Sequence, residues 1–393
     1  MDDIILFGFN EKSSVLLIAF FNAIVFSSLL LNNSINENDK HSKWLAVFIF
    51  LGGLYICPFM LGYAGWYSVR SYREFMFFMP FQQLFLIGPV FFFYVKKRLN
   101  ANLKLTQQDL IHFIPAILYL IYSLIIFITD KLILDEFYFY ANGRDKDLDF
   151  WYQMAGLISM LGYLLLSLKH YFNYRKLSVQ EVSFADEIAF KWIQHFAVAF
   201  SLILVLRVLF FILNPEWGNF GSKFWYYLCF SALLIYISIT GYSNTIRTTI
   251  QVESKILVQV ASSENDKSDE TKNESEDTLA LHEWKDKITY LFESEELYKN
   301  SKLTLTELAN NLNTNRNIIS KAINQAFQMN FNDFVNKKRA EAVIEKLTKG
   351  EHTTSTLLSI ALDCGFNSKT TFNRAFKKHV GITPRQFITK NQL

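Results

Sequence analysis

The chain has 393 residues, of which 51% are hydrophobic, 17% aromatic and only 19% charged, below the roughly 25% charge of soluble globular proteins. Its formal net charge of +3 sums unlike parts: apolar runs end near Ile246, residues 264–283 hold eight acids against two lysines, and residues 301–393 hold fourteen Lys/Arg against six Asp/Glu. Cys57, Cys229 and Cys364 form no CxxC pair, which excludes a zinc ribbon or disulfide-stapled scaffold and leaves them as buried or spare thiols.

In chain order, seven stretches approach the ~20 apolar residues that a helix needs to cross a bilayer. They are roughly 14–31, 44–63, 75–95, 110–129, 150–169, 190–213 and 224–246, and the fifth is uncharged from Trp151 to Leu168. Seven helices without a polar stripe rarely occur in a water-soluble core. Residues 1–250 are therefore expected to form a seven-helix membrane bundle. The start, with Asp2 and Asp3 and no basic region, does not read as a cleavable leader. Pro58, Pro80, Pro89 and Pro115 lie in or beside these runs and are expected as kinks whose freed carbonyls neighbouring helices satisfy.

Loop charge sets the expected orientation. One set of loops carries Lys40 and Lys43, then Lys96, Lys97, Arg98 and Lys104, then Lys169, Arg175 and Lys176, then Arg247 and Lys255. The opposite set carries Lys12, Arg70, Arg73, Lys131, Arg144, Lys146 and Lys223, diluted by six acids between Asp130 and Asp149. This bias places the N-terminus outside and the C-terminus in the cytoplasm of a multi-pass cell-membrane protein.

Polar side chains inside spans are costly and so point to function. Arg207 lies about 10 Å from the outer end of the sixth run, at 1.5 Å per residue. It either snorkels to the headgroups or joins Gln82, Gln83 and Gln153 around an outward-facing pocket for an anionic or polar ligand. His112, His170 and His195 sit near inner ends with no metal-ligand spacing. There is no nucleophile–base string, glycine-rich phosphate loop or HExxH motif. Neither enzyme activity nor a cofactor or metal is expected.

Residues 261–278 are polar, acidic and free of aromatics, which reads as a flexible tether within a linker of 251–283. About 20 such residues span near 25 Å root-mean-square. An amphipathic stretch resumes from Trp284, with Ile288, Leu291 and Phe292, and opens a soluble domain of 284–393.

That domain reads as two helix-turn-helix units joined by a linker helix. In the first, opening at Thr304, Thr306 is the expected N-cap, followed by Glu307, Leu308, Ala309 and Leu312. Small Ala309 precedes by four residues Asn313, at a turn position that commonly needs positive φ. Thr314 is the expected cap of the next helix, with Ile318, Ile319, Ile323 and Phe327 as its buried face. Asn315, Arg316, Asn317, Ser320, Lys321 and Asn324 remain on the other face, residue types that read guanine and adenine edges and hold phosphates. The linker helix runs from about Phe331 to Leu347 with Phe334, Val335, Ala342, Val343 and Leu347 as core and Lys337, Lys338 and Arg339 as a basic cluster. The second unit repeats the pattern with Leu357, Leu358, Ile360 and Ala361, then Gly365 at the turn. Asn367 or Ser368 caps, Phe372 and Phe376 are buried, and Gly381 ends the helix. Its outward face carries Ser368, Lys369, Thr370, Asn373, Arg374, Lys377 and Lys378. Thr383-Pro384 starts a last short helix.

The stretch GFNSKTTFNRAFKKHVGITPRQF, Gly365 to Phe387, resembles the C-terminal signature of AraC/XylS transcription regulators, and the upstream unit fits that family's first helix-turn-helix. The resemblance covers about 90 residues, with Asn313 departing from a more usual glycine. It implies two recognition helices in successive major-groove segments behind an N-terminal sensing domain. That domain is often soluble in the family, whereas this chain resembles the subset that carries membrane helices. The expected fold is all-α and the expected function is a membrane-bound one-component regulator. Its expected partners are promoter or operator DNA, the bilayer, RNA polymerase, a small-molecule or lipid signal and a second copy of the chain. The alternative is a membrane receptor or transporter whose terminal domain binds a protein.

Overall fold

The computed structural model describes residues 8–36, 42–100, 106–185, 191–213, 220–251 and 274–391. Among them every regular element is helical. The chain divides into two compact units, one of Met1–Tyr171 with Lys191–Val258 and one of Phe172–Phe190 with Gln259–Leu393. The loop lysines Lys40, Lys104 and Lys255 and residues 252–273 of the expected linker lie outside the described residues.

The first unit contains α1 (Glu11–Asn36), α2 (Ser42–Tyr63), α3 (Arg70–Phe78), α4 (Leu84–Leu99), α5 (Ile114–Phe127), α6 (Phe150–Glu181, whose last turns belong to the second unit), α7 (Lys191–Val208) and α8 (Lys223–Gln251). Six described segments are long and apolar enough to cross a membrane: Glu11–Ile35, Ser42–Tyr63, Gln107–Ile133, Phe150–Glu181, Trp192–Ile212 and Lys223–Thr245. Their apolar side chains are not all inside. On α5, Ile117, Leu118, Ile121, Leu124 and Ile125 are all exposed, a contiguous greasy face that suits hydrocarbon and not water. α1 lies along α2 and α8, and a small pair lets the first two approach closely: a Cβ on Gly53 would stand 3.0 Å from Ala23 Cβ.

Of the seven expected spans, the run at 75–95 is not among these six, because it is broken. α3 ends at Phe78 and α4 begins at Leu84. At 16 residues α4 is about 24 Å long, short of the ~30 Å hydrocarbon core. Pro80 explains the break. It has no N–H to continue α3, and it biases the residue before it to extended backbone, where Met79 is found (φ −89°, ψ 114°). Side chains from a distant segment replace the missing helical bonds. Gln82 N donates to Asp147 Oδ2 at 2.8 Å, Leu84 N donates to the Tyr152 hydroxyl at 3.1 Å, and that hydroxyl donates to the Gln82 carbonyl at 2.5 Å. Pro58 and Pro89 lie inside helices and Pro115 opens α5.

The second unit comprises the end of α6 with the segment after it, then α9 (Glu274–Ser294), α10 (Leu305–Asn311), α11 (Arg316–Ala326), α12 (Phe331–Thr348), α13 (Leu357–Asp363), α14 (Lys369–Val380) and α15 (Pro384–Lys390). α9 starts inside the stretch expected as tether, so residues 274–278 are helical. Two separate cores form. Ile288, Phe292, Leu308, Ile319 and Ile323 pack with Phe331, Phe334 and Val335 of α12. Ile360, Ala361, Phe372 and Phe376 pack with Ala340, Val343 and Leu347 of the same helix. One helix thus gives its first half to one helix-turn-helix unit and its second half to the other. Ala342 is only partly buried.

Candidate nucleic-acid interface

The starts of α10, α11 and α14 are fixed by local chemistry. Thr304, not Thr306, caps α10: its hydroxyl accepts from Glu307 N at 3.1 Å. Asn315, not Thr314, caps α11, with Oδ1 accepting from Asn317 N at 2.9 Å. The correction moves each cap by one or two residues, within the range where sequence signals for helix ends are weakest. Ser368 caps α14 by accepting from Thr371 N. The turns have the expected backbone: Asn313 has φ 51° and Gly365 φ 89°, and Gly381 ends α14 in the left-handed region.

On α11, Asn315, Asn317, Lys321 and Asn324 are exposed, while Ser320 and Arg316 are half-buried. On α14, Lys369, Thr370, Asn373, Arg374, Lys377 and Lys378 are exposed and Ser368 is half-buried. Each helix therefore presents a polar face opposite a buried one, the arrangement that enters a major groove. Ile318, expected in the core, is instead 43% exposed beside Asn317 and Lys321. A β-branched side chain there can meet a thymine methyl; its type pointed to the core, so sequence reasoning missed it. Leu358 is likewise exposed. Lys378 Nζ lies 2.6 Å from Asp333 Oδ1, which competes with a phosphate role.

A segment of the same unit meets this surface. Arg316 Nη1 lies 3.6 Å from Glu181 Oε2 at the end of α6, with both side chains less than a fifth exposed. Just beyond, Val182 forms an antiparallel bridge with Thr304, and Ser183 N donates to the Leu303 carbonyl at 3.1 Å. The Ser183 carbonyl accepts from Asn332 Nδ2 at 2.8 Å and from Arg339 Nη1 at 3.5 Å. Arg339, expected in a basic cluster with Lys337 and Lys338, is only 1% exposed. Its corrected role is structural, because its donors reach backbone carbonyls that need partners when buried. Desolvation, and then the nearby Arg175 cation, lowers the Arg374 guanidinium below its ordinary value.

In the first unit, Arg207, Gln153 and Gln82 are brought together. Arg207 Nη2 donates to Gln153 Oε1 at 2.6 Å and to its carbonyl at 2.9 Å. Gln153 Nε2 donates to Gln82 Oε1 at 2.7 Å, and Gln82 Nε2 to the Tyr227 hydroxyl at 3.0 Å. Gln83 is not part of this chain; its Nε2 turns back to the Pro80 carbonyl at 2.7 Å. Arg207 is 3% exposed, so it does not snorkel. His112 Nδ1 pairs with the Tyr163 hydroxyl at 2.9 Å, and among the described residues no His, Cys, Asp and Glu cluster could hold a metal.

Residues 308–390 match the model of a helix-turn-helix domain, of the AraC type. Uncharacterized HTH-type transcriptional regulators of Staphylococcus aureus strains COL and MSSA476 are each 32% identical over 113 residues, covering 27% of this chain. The chain spans about 15% of the length of these relatives. No solved structure matches.

Proposed function

We propose that the chain is a membrane-bound one-component transcription regulator. Its first unit senses a signal in the bilayer with the N-terminus outside, the broken α3–α4 run serving as a seventh, discontinuous crossing. Its second unit binds promoter DNA in the cytoplasm and acts on RNA polymerase, alone or paired with a second copy. The DNA-binding half of this reading is supported by the match at residues 308–390 and by the two exposed polar helix faces. Control by the membrane is supported by one observation above all. α6 begins in the apolar unit, and its last residue, Glu181, pairs with Arg316 on the first recognition helix. A displacement of α6 would then reach the DNA-reading surface through a single helix, freeing Arg316 or holding it.

Three expected outcomes test this. Glu181→Gln, assayed on full-length protein in nanodiscs, is expected to tighten promoter binding about three- to ten-fold, the scale of releasing a partly buried ion pair. Unchanged or weaker binding would separate α6 from DNA recognition. Arg374→Ala is expected to cost about 1–3 kcal/mol on the preferred site and relax its sequence. Lys377→Ala should weaken all duplexes alike and lower the salt slope by about 0.9. Footprinting across a salt series reads both, and a full-length chain that ignores duplex at low salt would favour a protein-binding terminal domain.

A further inference from the structure

Cations taken out of water need anions or a dense set of acceptors. Among the described residues, the first unit places two cations on one cavity with no anion beside them. The cavity is about 200 Å3, far more than the ~10–15 Å3 that admits one water. Arg207 and Lys223 both line it. Arg207 spends only Nη2 on hydrogen bonds, both to Gln153, out of five N–H donors. Its Cζ lies 5.8 Å from the Tyr55 ring centroid. Among the described residues Lys223 Nζ meets aromatic faces alone, 5.6 Å from the Phe59 centroid and 5.7 Å from that of Phe211.

Among the described residues no carboxylate lies within 4 Å of either cation. Asp147, the acid nearest in the hydrogen-bonded chain, is committed elsewhere: Oδ1 accepts from the Tyr119 hydroxyl at 2.6 Å and Oδ2 from Gln82 N. Ring faces and one glutamine do not neutralise two charges. The rest of the wall is greasy, including Leu157, Met154 and Phe59. It also includes Phe211 from the π-helical turn Leu209–Leu213 after α7, a distortion frequent at functional sites.

We infer that this cavity binds an amphiphilic anion, its carboxylate or phosphate head held between Arg207 and Lys223 and its short apolar body against Leu157, Met154 and Phe59. The inference rests on the reading of the first unit as the sensing domain and supplies the chemical class of its signal.

The test uses full-length protein in phosphatidylcholine nanodiscs, with decanoate, decyl phosphate and decanol as probes and thermal midpoint and intrinsic fluorescence as readouts. Decanoate or decyl phosphate raises the midpoint and decanol does not. Lys223→Gln at the cavity rim weakens anion binding about ten-fold or more, the loss of a charge-assisted contact. Arg207→Gln does the same, and Arg207→Lys keeps part of the binding. A shift with decanoate in pure phosphatidylcholine assigns the anion to a free amphiphile, and a shift only on adding phosphatidylglycerol assigns it to a lipid headgroup. Equal shifts with decanol and decanoate, or decanoate binding undiminished in Lys223→Gln, overturn the inference. Probe-free footprinting on the same nanodiscs reads DNA binding separately, so a failed cavity leaves the regulator reading intact.

Discussion

Alanine in place of Gly365 is expected to unfold the C-terminal half of the DNA-binding domain. Gly365 has φ 89°, a left-handed conformation that costs alanine about 1–2 kcal/mol by itself. The larger obstacle is space. A Cβ there would stand 2.2 Å from the Tyr298 carbonyl oxygen, 2.9 Å from Lys299 Cα and 3.0 Å from Lys299 C. All three are backbone atoms, so no side chain can swing aside, and relief requires the turn at Leu297–Lys299 to move. The sum is expected to exceed about 4 kcal/mol, in the tail of single-residue effects. Gly381→Ala is the control: φ is 86°, but a Cβ there meets nothing within 4 Å, so the cost should stay near 1–2 kcal/mol. Hydrogen exchange on the full-length protein should show protection lost across residues 357–390 in Gly365→Ala and kept in Gly381→Ala. Similar protection in the two variants would mean that the backbone approach at Gly365 does not constrain the fold.

The same comparison explains what was readable in the sequence. The spacing from Ala309 to Asn313 repeats from Ala361 to Gly365, and both turn residues have positive φ, because a helix-turn-helix needs a small contact and a left-handed turn at fixed offsets. These are local requirements, so composition and spacing carry them. Gly365 must be glycine for a non-local reason, the Tyr298–Lys299 backbone more than 60 residues earlier, which no periodicity encodes. The broken third run is similar. Pro80 was visible, but what lets the chain open there is Asp147 accepting from Gln82 N across 65 residues. Ile318 looked like core because its side chain is apolar, yet its position on α11 turns it to the surface. Arg339 looked like one of a basic cluster because it follows Lys337 and Lys338, yet one helical step places it between the two cores. In each case residue type was legible and the partner that decides its role was not.

Arg339→Met is expected to cost about 3–5 kcal/mol, the scale of removing one member of a buried charged network. The guanidinium binds several chain segments at once. Nε donates to the Tyr298 carbonyl at 2.8 Å, Nη2 to the Asn300 carbonyl at 2.8 Å and to Ser183 Oγ at 3.2 Å, and Nη1 to Asn336 Oδ1 at 3.2 Å. Methionine fills much of the volume but leaves buried carbonyls without donors, each costing about 1–3 kcal/mol. Lysine should not rescue, because one ammonium cannot place donors in these diverging directions. Tyr298 is also the residue whose carbonyl crowds Gly365, so Arg339 and Gly365 secure one turn from two sides. Loss of the arginine should therefore loosen both helix-turn-helix units and release the segment after α6 with them. In hydrogen exchange, Arg339→Met and Arg339→Lys should both expose residues 178–185 and 297–303 and weaken duplex binding. The neighbouring Lys337→Ala, at a partly exposed ion pair with Glu341, should change stability by less than about 1 kcal/mol. If Arg339→Lys keeps the protection of the unsubstituted chain, charge alone and not the fork of donors holds the turn.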